Sequence, residues 1–105
     1  MSANLELQVE QVEGDPCLVA RGDLDIHSSP ALQRRLGALI GQGNPVLRLD
    51  LSQIGYLDSE GVSVLLWALA QQRRRSRKLL LWKASERAHK VMRILGVSSL
   101  WETGS

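Results

Sequence analysis

The segment YLDSEGVSVLL, residues 56–66, sets two carboxylates, Asp58 and Glu60, on either side of Ser59, and Gly61 follows. Three chemistries use such residues: a serine nucleophile, a helix cap, and a hydroxyl that accepts phosphate. The nucleophile fits worst. A nucleophile elbow carries glycine two residues before its serine so that the chain can make a strained turn, and that position here is Leu57. A serine nucleophile also needs a base, an acid to orient it and oxyanion donors. The chain holds two histidines, His27 and His89, and His89 lies on a helix beside Lys90 with no acid partner apparent. Capping fits well: Asp58 or Ser59 as N-cap, Glu60 in the first turn at the positive helix end, and Gly61 for close backbone approach. If Asp58 caps, Ser59 is the first helical residue and its hydroxyl stands exposed at the C-terminal end of a strand, where α/β domains place their function. A phosphate there would add about −1.5 to −2 charges beside free amide donors and beside Asp58 and Glu60. It would be tolerated by the fold and repulsive to an acidic partner, as a binding switch requires.

The remaining reactive side chains point to less. Asp23, Asp25, Asp50 and Asp58 fall on different segments at no recognised metal-ligand spacing, and Asp23 and Asp25 read most simply as turn and cap residues. GALIGQG, residues 37–43, ends a helix, where carbonyls rather than amides are free, so it would repel phosphate. The single Cys17 lies in the apolar stretch CLVA and reads as a small buried hydrophobe. Five of the 13 basic residues form the run RRRSRK from Arg73 to Lys78. That run closes a helix, where cations complement the macrodipole; an acidic partner is its second use. Nucleic acid is not expected, because no aromatic residues interleave with the charges.

The elements that position these residues follow from periodicity. NLELQVEQV, residues 4–12, alternates as a strand with one wet face; GDP marks a turn, and CLVARG pairs back as a second strand. Ser28 or Ser29 caps a helix with Pro30 in its first turn and Leu32, Leu36, Leu39 and Ile40 on one face, ending at residues 41–43. VLRLDLS predicts a strand from Val46 to Leu51, followed by the loop QIGYLDSEG. Val62, Leu65, Leu66 and Leu69 make the stripe of a helix from about Glu60 to Arg74. Trp67 falls off that stripe, either as an exposed hot spot or partly buried against a neighbouring helix. KLLLWK is a short strand. Ser85 caps a third helix with Ala88, Val91, Met92 and Leu95 inward, and Gly96 ends it. VSSLWETGS leaves a last short strand or a docked tail around Leu100 and Trp101.

The order β-β-α-β-α-β-α implies one α/β domain over residues 1–105. It has a small mixed sheet of four or five strands, an N-terminal antiparallel pair and about three helices. Its 105 residues suit a single core burying roughly two-thirds of the unfolded surface, built mainly from aliphatic side chains since the chain has 3 Trp, 1 Tyr and no Phe. No signal sequence, membrane-spanning run or disulfide framework is legible, so a soluble cytoplasmic protein is expected, without membrane insertion. No catalytic residue, cofactor or metal ligand is assigned.

At this point the chain resembles the STAS domain family of bacterial anti-sigma factor antagonists. The resemblance is carried by GDLD at Gly22 to Asp25, similar to the family's G-E-L-D, by LRLDLS as the central strand, by LDSEGVSVLL as the D-S-x-G loop with its helix, and by KVMRILGVSSLWE as the closing helix and tail. It implies a partner switch. The unphosphorylated antagonist binds an anti-sigma factor that is also a serine kinase, freeing a sigma factor, and phosphorylation of the serine after the loop aspartate, here Ser59, breaks the complex. A metal-dependent serine phosphatase resets it; nucleotide and magnesium belong to the kinase, so the chain itself has no activity. The implied partner surface comprises Asp58, Ser59, Glu60 and Gly61, flanked by Ser63, Trp67, Asp23 and Asp25. Two departures stand out: Asp23 replaces the usual glutamate, and Glu60 puts a permanent charge where a small hydroxyl residue is common. STAS domains also serve as accessory subunits of lipid-transport ABC transporters, where the same loop and helix would dock on an ATPase.

Overall fold

The structure, a computed structural model, describes residues 4–103. The chain forms β1 (Leu5–Val12), β2 (Asp15–Leu24), α1 (Ser29–Gly41), β3 (Val46–Leu57), α2 (Ser59–Arg74), β4 (Lys78–Ala84), α3 (Glu86–Ile94), a 3-10 turn (Ser98–Leu100) and β5 (Glu102–Thr103). The strands lie in one sheet in sequence order, β1 antiparallel to β2 and every later pair parallel. Each parallel step advances one place in the same direction, so right-handed crossovers put all three helices on one face. Leu18 of β2, Leu49 of β3, and Leu36, Leu65 and Met92 of the three helices accordingly share one apolar cluster.

The hairpin turns at Glu13 and Gly14, both at positive φ (53° and 85°), which matches a two-residue turn to the strand twist. The expected turn GDP is therefore displaced: Asp15 and Pro16 already belong to β2. Pro16 is accommodated because pairing with β3 starts only at Cys17.

β3 corrects a larger expectation. It runs to Leu57 rather than Leu51, because the supposed loop pairs with β2, Gln53 opposite Arg21 and Leu57 opposite Leu24. Irregularities in this ladder break the alternation, so the buried residues fall three apart at Leu51, Ile54 and Leu57.

On the face without helices, Arg48 is buried although its position alternates with Leu47 and Leu49. Its guanidinium lies 4.9 Å from the Trp82 ring and 3.1 Å from Asp15 Oδ2, so its stem covers the sheet as a hydrophobic side chain would.

The helices follow their stripes. Leu32, Leu36, Leu39 and Ile40 of α1 are buried, as are Val62, Leu65 and Leu69 of α2. Ser85 caps α3, its Oγ accepting from Ala88 N and donating to Ile54 O. Leu95 is not inward: α3 stops at Ile94, and Leu95 is left 44% exposed as Gly96 turns the chain at φ 73°. The tail then buries Trp101 against the core and adds Glu102 to the sheet beside Leu80.

Candidate functional site

Ser59 stands where β3 meets α2, and the local sequence dictates the join. Asp58 has the extended backbone an N-cap needs (φ −117°, ψ −178°), and its Oδ1 accepts from Gly61 N at 3.0 Å. The Asp58 amide itself donates to Leu24 O at 3.2 Å, tying the start of α2 to the end of β2. Ser59 is thus the first residue of α2, exposed, with its amide and that of Glu60 in the turn that has no intrahelical acceptors. Its carbonyl accepts from Ser63 Oγ at 2.9 Å.

Gly61 is buried, so it offers no side-face contact to a partner and acts by position. A Cβ there would stand 2.7 Å from Leu24 Cγ and 2.8 Å from Leu24 O, closer than packed atoms approach, so only glycine lets α2 settle on β2.

Glu60, Ser63 and Trp67 line one side of a groove of about 420 Å³ between α1 and α2; Ile26, Pro30 and Gln33 line the other. Trp67 is half-buried, its Cη2 3.6 Å from where a Cβ on Gly37 of α1 would lie, which decides between the two readings of that residue in favour of packing against the neighbouring helix.

Asp23 and Asp25 lie at the same end, reached through β2, but both are engaged: Asp23 ties down the residue before β1, and Asp25 shapes the turn into α1. Asp23 Oδ2 accepts from Asn4 Nδ2 at 3.2 Å. Asp25 Oδ1 accepts from the amides of His27 and Ser28, at 2.9 and 3.0 Å, and the Ser28 hydrogen bonds hold its carboxyl below the ordinary 3.8 with the His27 amide adding to the effect. Ser28 occupies the N-cap position of α1 without capping it: its backbone is helical, and its buried hydroxyl donates to Asp23 O and accepts from Asp25 N. Ser29, the other candidate, is the first helical residue.

Two residues at this end escaped the sequence: Ile26, 59% exposed, and Tyr56, 46% exposed. Tyr56 pairs with Asp23 across β2 and β3. Tyr56 adjoins Leu57 and Ile26 lies two residues after Leu24, so in sequence each reads as part of an apolar strand end and nothing marks it as exposed.

Elsewhere burial pushes the Cys17 thiol up to about 11, with the Asp50 and Glu10 carboxylates adding to the shift, which leaves it a core residue rather than a nucleophile. Among the described residues no three His, Cys, Asp or Glu side chains are grouped to hold a metal, and no helix is long and apolar enough to cross a membrane.

A family model described as "Mlab, STAS domain" matches residues 7–102. The anti-sigma-B factor antagonist of Bacillus subtilis (strain 168) is 30% identical over 97 residues, which cover 92% of this chain and 88% of the relative. The fold is that of an anti-sigma factor antagonist from Mycobacterium paratuberculosis, with a TM-score of 0.82 at 21% identity over 100% of this chain and 92% of that one. It is also that of the Bacillus cell fate determinant SpoIIAA in its phosphorylated form, with a TM-score of 0.68 at 21% identity over 95% and 92%.

Proposed function

The chain belongs to the STAS domain family, and on that premise we propose that it is an anti-sigma factor antagonist operated as a partner switch at Ser59. In this role the unmodified protein binds an anti-sigma factor that is a serine kinase, and so releases a sigma factor. Transfer of the nucleotide's terminal phosphoryl group to Ser59 Oγ, with loss of the hydroxyl proton, dissociates the pair. A serine phosphatase restores the hydroxyl by hydrolysis. The chain is a substrate and a ligand, and the nucleotide and metal chemistry belongs to its partners.

The observation that carries this proposal is the placement of Ser59: an exposed hydroxyl at the first position of a helix whose cap is supplied by its neighbour Asp58. Because the cap hydrogen bond uses Asp58 and not Ser59, modification of the hydroxyl leaves the start of α2 intact and changes only the surface. The charge change of about −1.5 to −2 falls beside Glu60, at the end of the molecule where Ile26 and Tyr56 are exposed. Glu60 keeps one negative charge there permanently, so the contrast between the two states is smaller than with a neutral residue. Ile26 and Tyr56 supply the apolar contact area that a partner would bury.

Glu60 also favours a second reading, an accessory subunit of a lipid-transport ABC transporter, in which a constant charge at the loop serves a constant partner. Baits carrying Ser59→Ala and Ser59→Glu, used in parallel on a lysate and read by mass spectrometry, separate the two. A soluble serine kinase held by the alanine form and lost from the glutamate form supports the switch. A membrane ATPase held equally by both refutes it and supports the transporter subunit.

A further inference from the structure

Charge is segregated along this chain. Nine of its 13 Lys and Arg fall between Arg73 and Arg93, a span holding one acid, Glu86. The sheet order puts this span on one side of the molecule, with β4, α3 and β5, whereas Glu6, Glu10, Glu13 and Asp15 lie on the opposite hairpin. Within the basic side, three aliphatic residues stand out of the surface: Ile94 at 72% exposure, Leu95 at 44% and Leu100 at 42%. They sit together at the corner where α3 ends, Gly96 reverses the chain and the 3-10 turn begins. Arg73 reaches the same corner from the end of α2, its Nη2 donating to Leu100 O at 2.7 Å, and Lys90 and Arg93 are exposed on the last turns of α3. This side also carries two acids: Glu86, in the first turn of α3, borders the same shallow groove as Lys90 and Arg93, and Glu102 lies 3.8 Å from Lys78.

We propose that this corner is a peripheral docking site for an anionic lipid surface, with Ile94, Leu95 and Leu100 entering the headgroup layer and Arg73, Lys90 and Arg93 held at the phosphates. The exposure favours lipid. Exposed aliphatic side chains at a helix end need a matching cavity in a protein partner, but a bilayer interface yields around them and takes up their apolar area. Cations around such residues are each attracted to anionic headgroups, and their long stems let the charge stay at the interface while the aliphatic part is buried. Nucleic acid would use the charges but leave the aliphatic residues without a contact. Docking would not block the Ser59 surface: Arg73 and Ser59 are near opposite ends of the 16-residue α2, about 21 Å apart along its axis.

The test is flotation of the full chain with vesicles of pure phosphatidylcholine or of phosphatidylcholine and phosphatidylglycerol in equal parts, at low salt. The expected result is partitioning at least tenfold stronger to the anionic vesicles, and its loss in 0.5 M NaCl, where screening is short-ranged. Lys90→Gln with Arg93→Gln is expected to weaken partitioning roughly thirtyfold, at about fivefold per cation. Ile94→Ser is expected to weaken it at least about tenfold through lost apolar burial, with Leu100→Ser as an independent variant of the same kind. All these side chains are exposed, so a melting temperature near that of the wild type shows that the fold is kept. Absent binding to anionic vesicles, equal binding to both vesicle types, or partitioning unchanged in both serine variants would overturn the proposal. So would capture by immobilised poly-L-glutamate without capture by vesicles, which would assign the corner to an acidic protein.

Discussion

Replacing Gly61 by alanine should destabilise the protein even though alanine is the better helix former. Gly61 is a helical residue outside the left-handed region of φ, so no conformational penalty attaches to a side chain there. On propensity alone the exchange would stabilise by up to about 1 kcal/mol. Against this, the new Cβ would lie 2.7 Å from Leu24 Cγ, 2.8 Å from Leu24 O and 3.0 Å from Leu57 Cδ1. The Leu24 carbonyl cannot swing away cheaply, because it accepts the Asp58 amide and belongs to a strand paired on both sides. Overpacking of this kind costs about 1–3 kcal/mol; contacts below 3 Å on a fixed carbonyl put it near the upper end, leaving a net loss of about 2 kcal/mol and a fall in melting temperature of roughly 8–16 °C. Gly41 provides the internal control: it is the last residue of α1, and a Cβ there meets nothing within 4 Å. Gly41→Ala should therefore be neutral or stabilising by a few tenths of a kcal/mol up to about 1 kcal/mol. Urea and thermal unfolding of both variants and the wild type would measure the difference. A Gly61→Ala protein as stable as the wild type would refute the account of how α2 is seated, since the same contacts place Ser59.

Three further outcomes follow from the same contacts. Asp58→Ala should lose about 1 kcal/mol by removing the cap on Gly61 N, while Asp58→Asn, which keeps an acceptor, should lose little; urea midpoints decide, and equal losses would contradict the capping role. The Asp25 carboxyl titrates below 3.8 in the folded protein, so its contribution to stability is complete above that value and is lost as the pH falls through the folded pKa. The acid limb of the stability profile should therefore be shallower in Asp25→Asn than in the wild type, and identical limbs would remove Asp25 from the account. With its thiol pushed up to about 11 against an ordinary 9.0, Cys17 at pH 8 should carry roughly a hundredfold less thiolate than a free cysteine. Burial slows its modification further, so rapid labelling of the native protein by iodoacetamide would place Cys17 outside the core.

The elements that carry the site were legible because each announces itself locally. The spacing of Val62, Leu65 and Leu69 fixes which face of α2 is buried, and an aspartate before a serine at the head of that stripe identifies the cap. What stayed hidden depends on two segments meeting. The second half of β3 was read as a loop because its ladder irregularities replace alternation with a three-residue spacing at Leu51, Ile54 and Leu57. Ser28 looked like a cap by residue type, and only the strand end at Asp23 and the turn at Asp25 show why its hydroxyl faces inward. The groove between α1 and α2 could be half anticipated, from Glu60, Ser63 and Trp67. Pro30 and Gln33 were not, because nothing within α1 says which exposed flank will face α2. Alternation puts Arg48 on the face opposite Leu47 and Leu49, but its burial there depends on Trp82 and Asp15, distant in sequence, which receive its guanidinium.

The central claim is that a phosphate on Ser59 alters partner binding without altering the fold. The most direct measurement compares the unmodified protein with protein phosphorylated at Ser59, first by thermal melting and then by calorimetric titration against the serine kinase retained on the Ser59→Ala bait. The account predicts melting temperatures within a few degrees of each other and an affinity at least tenfold lower, about 1.4 kcal/mol, for the phosphorylated form. Equal affinities for that kinase would contradict it.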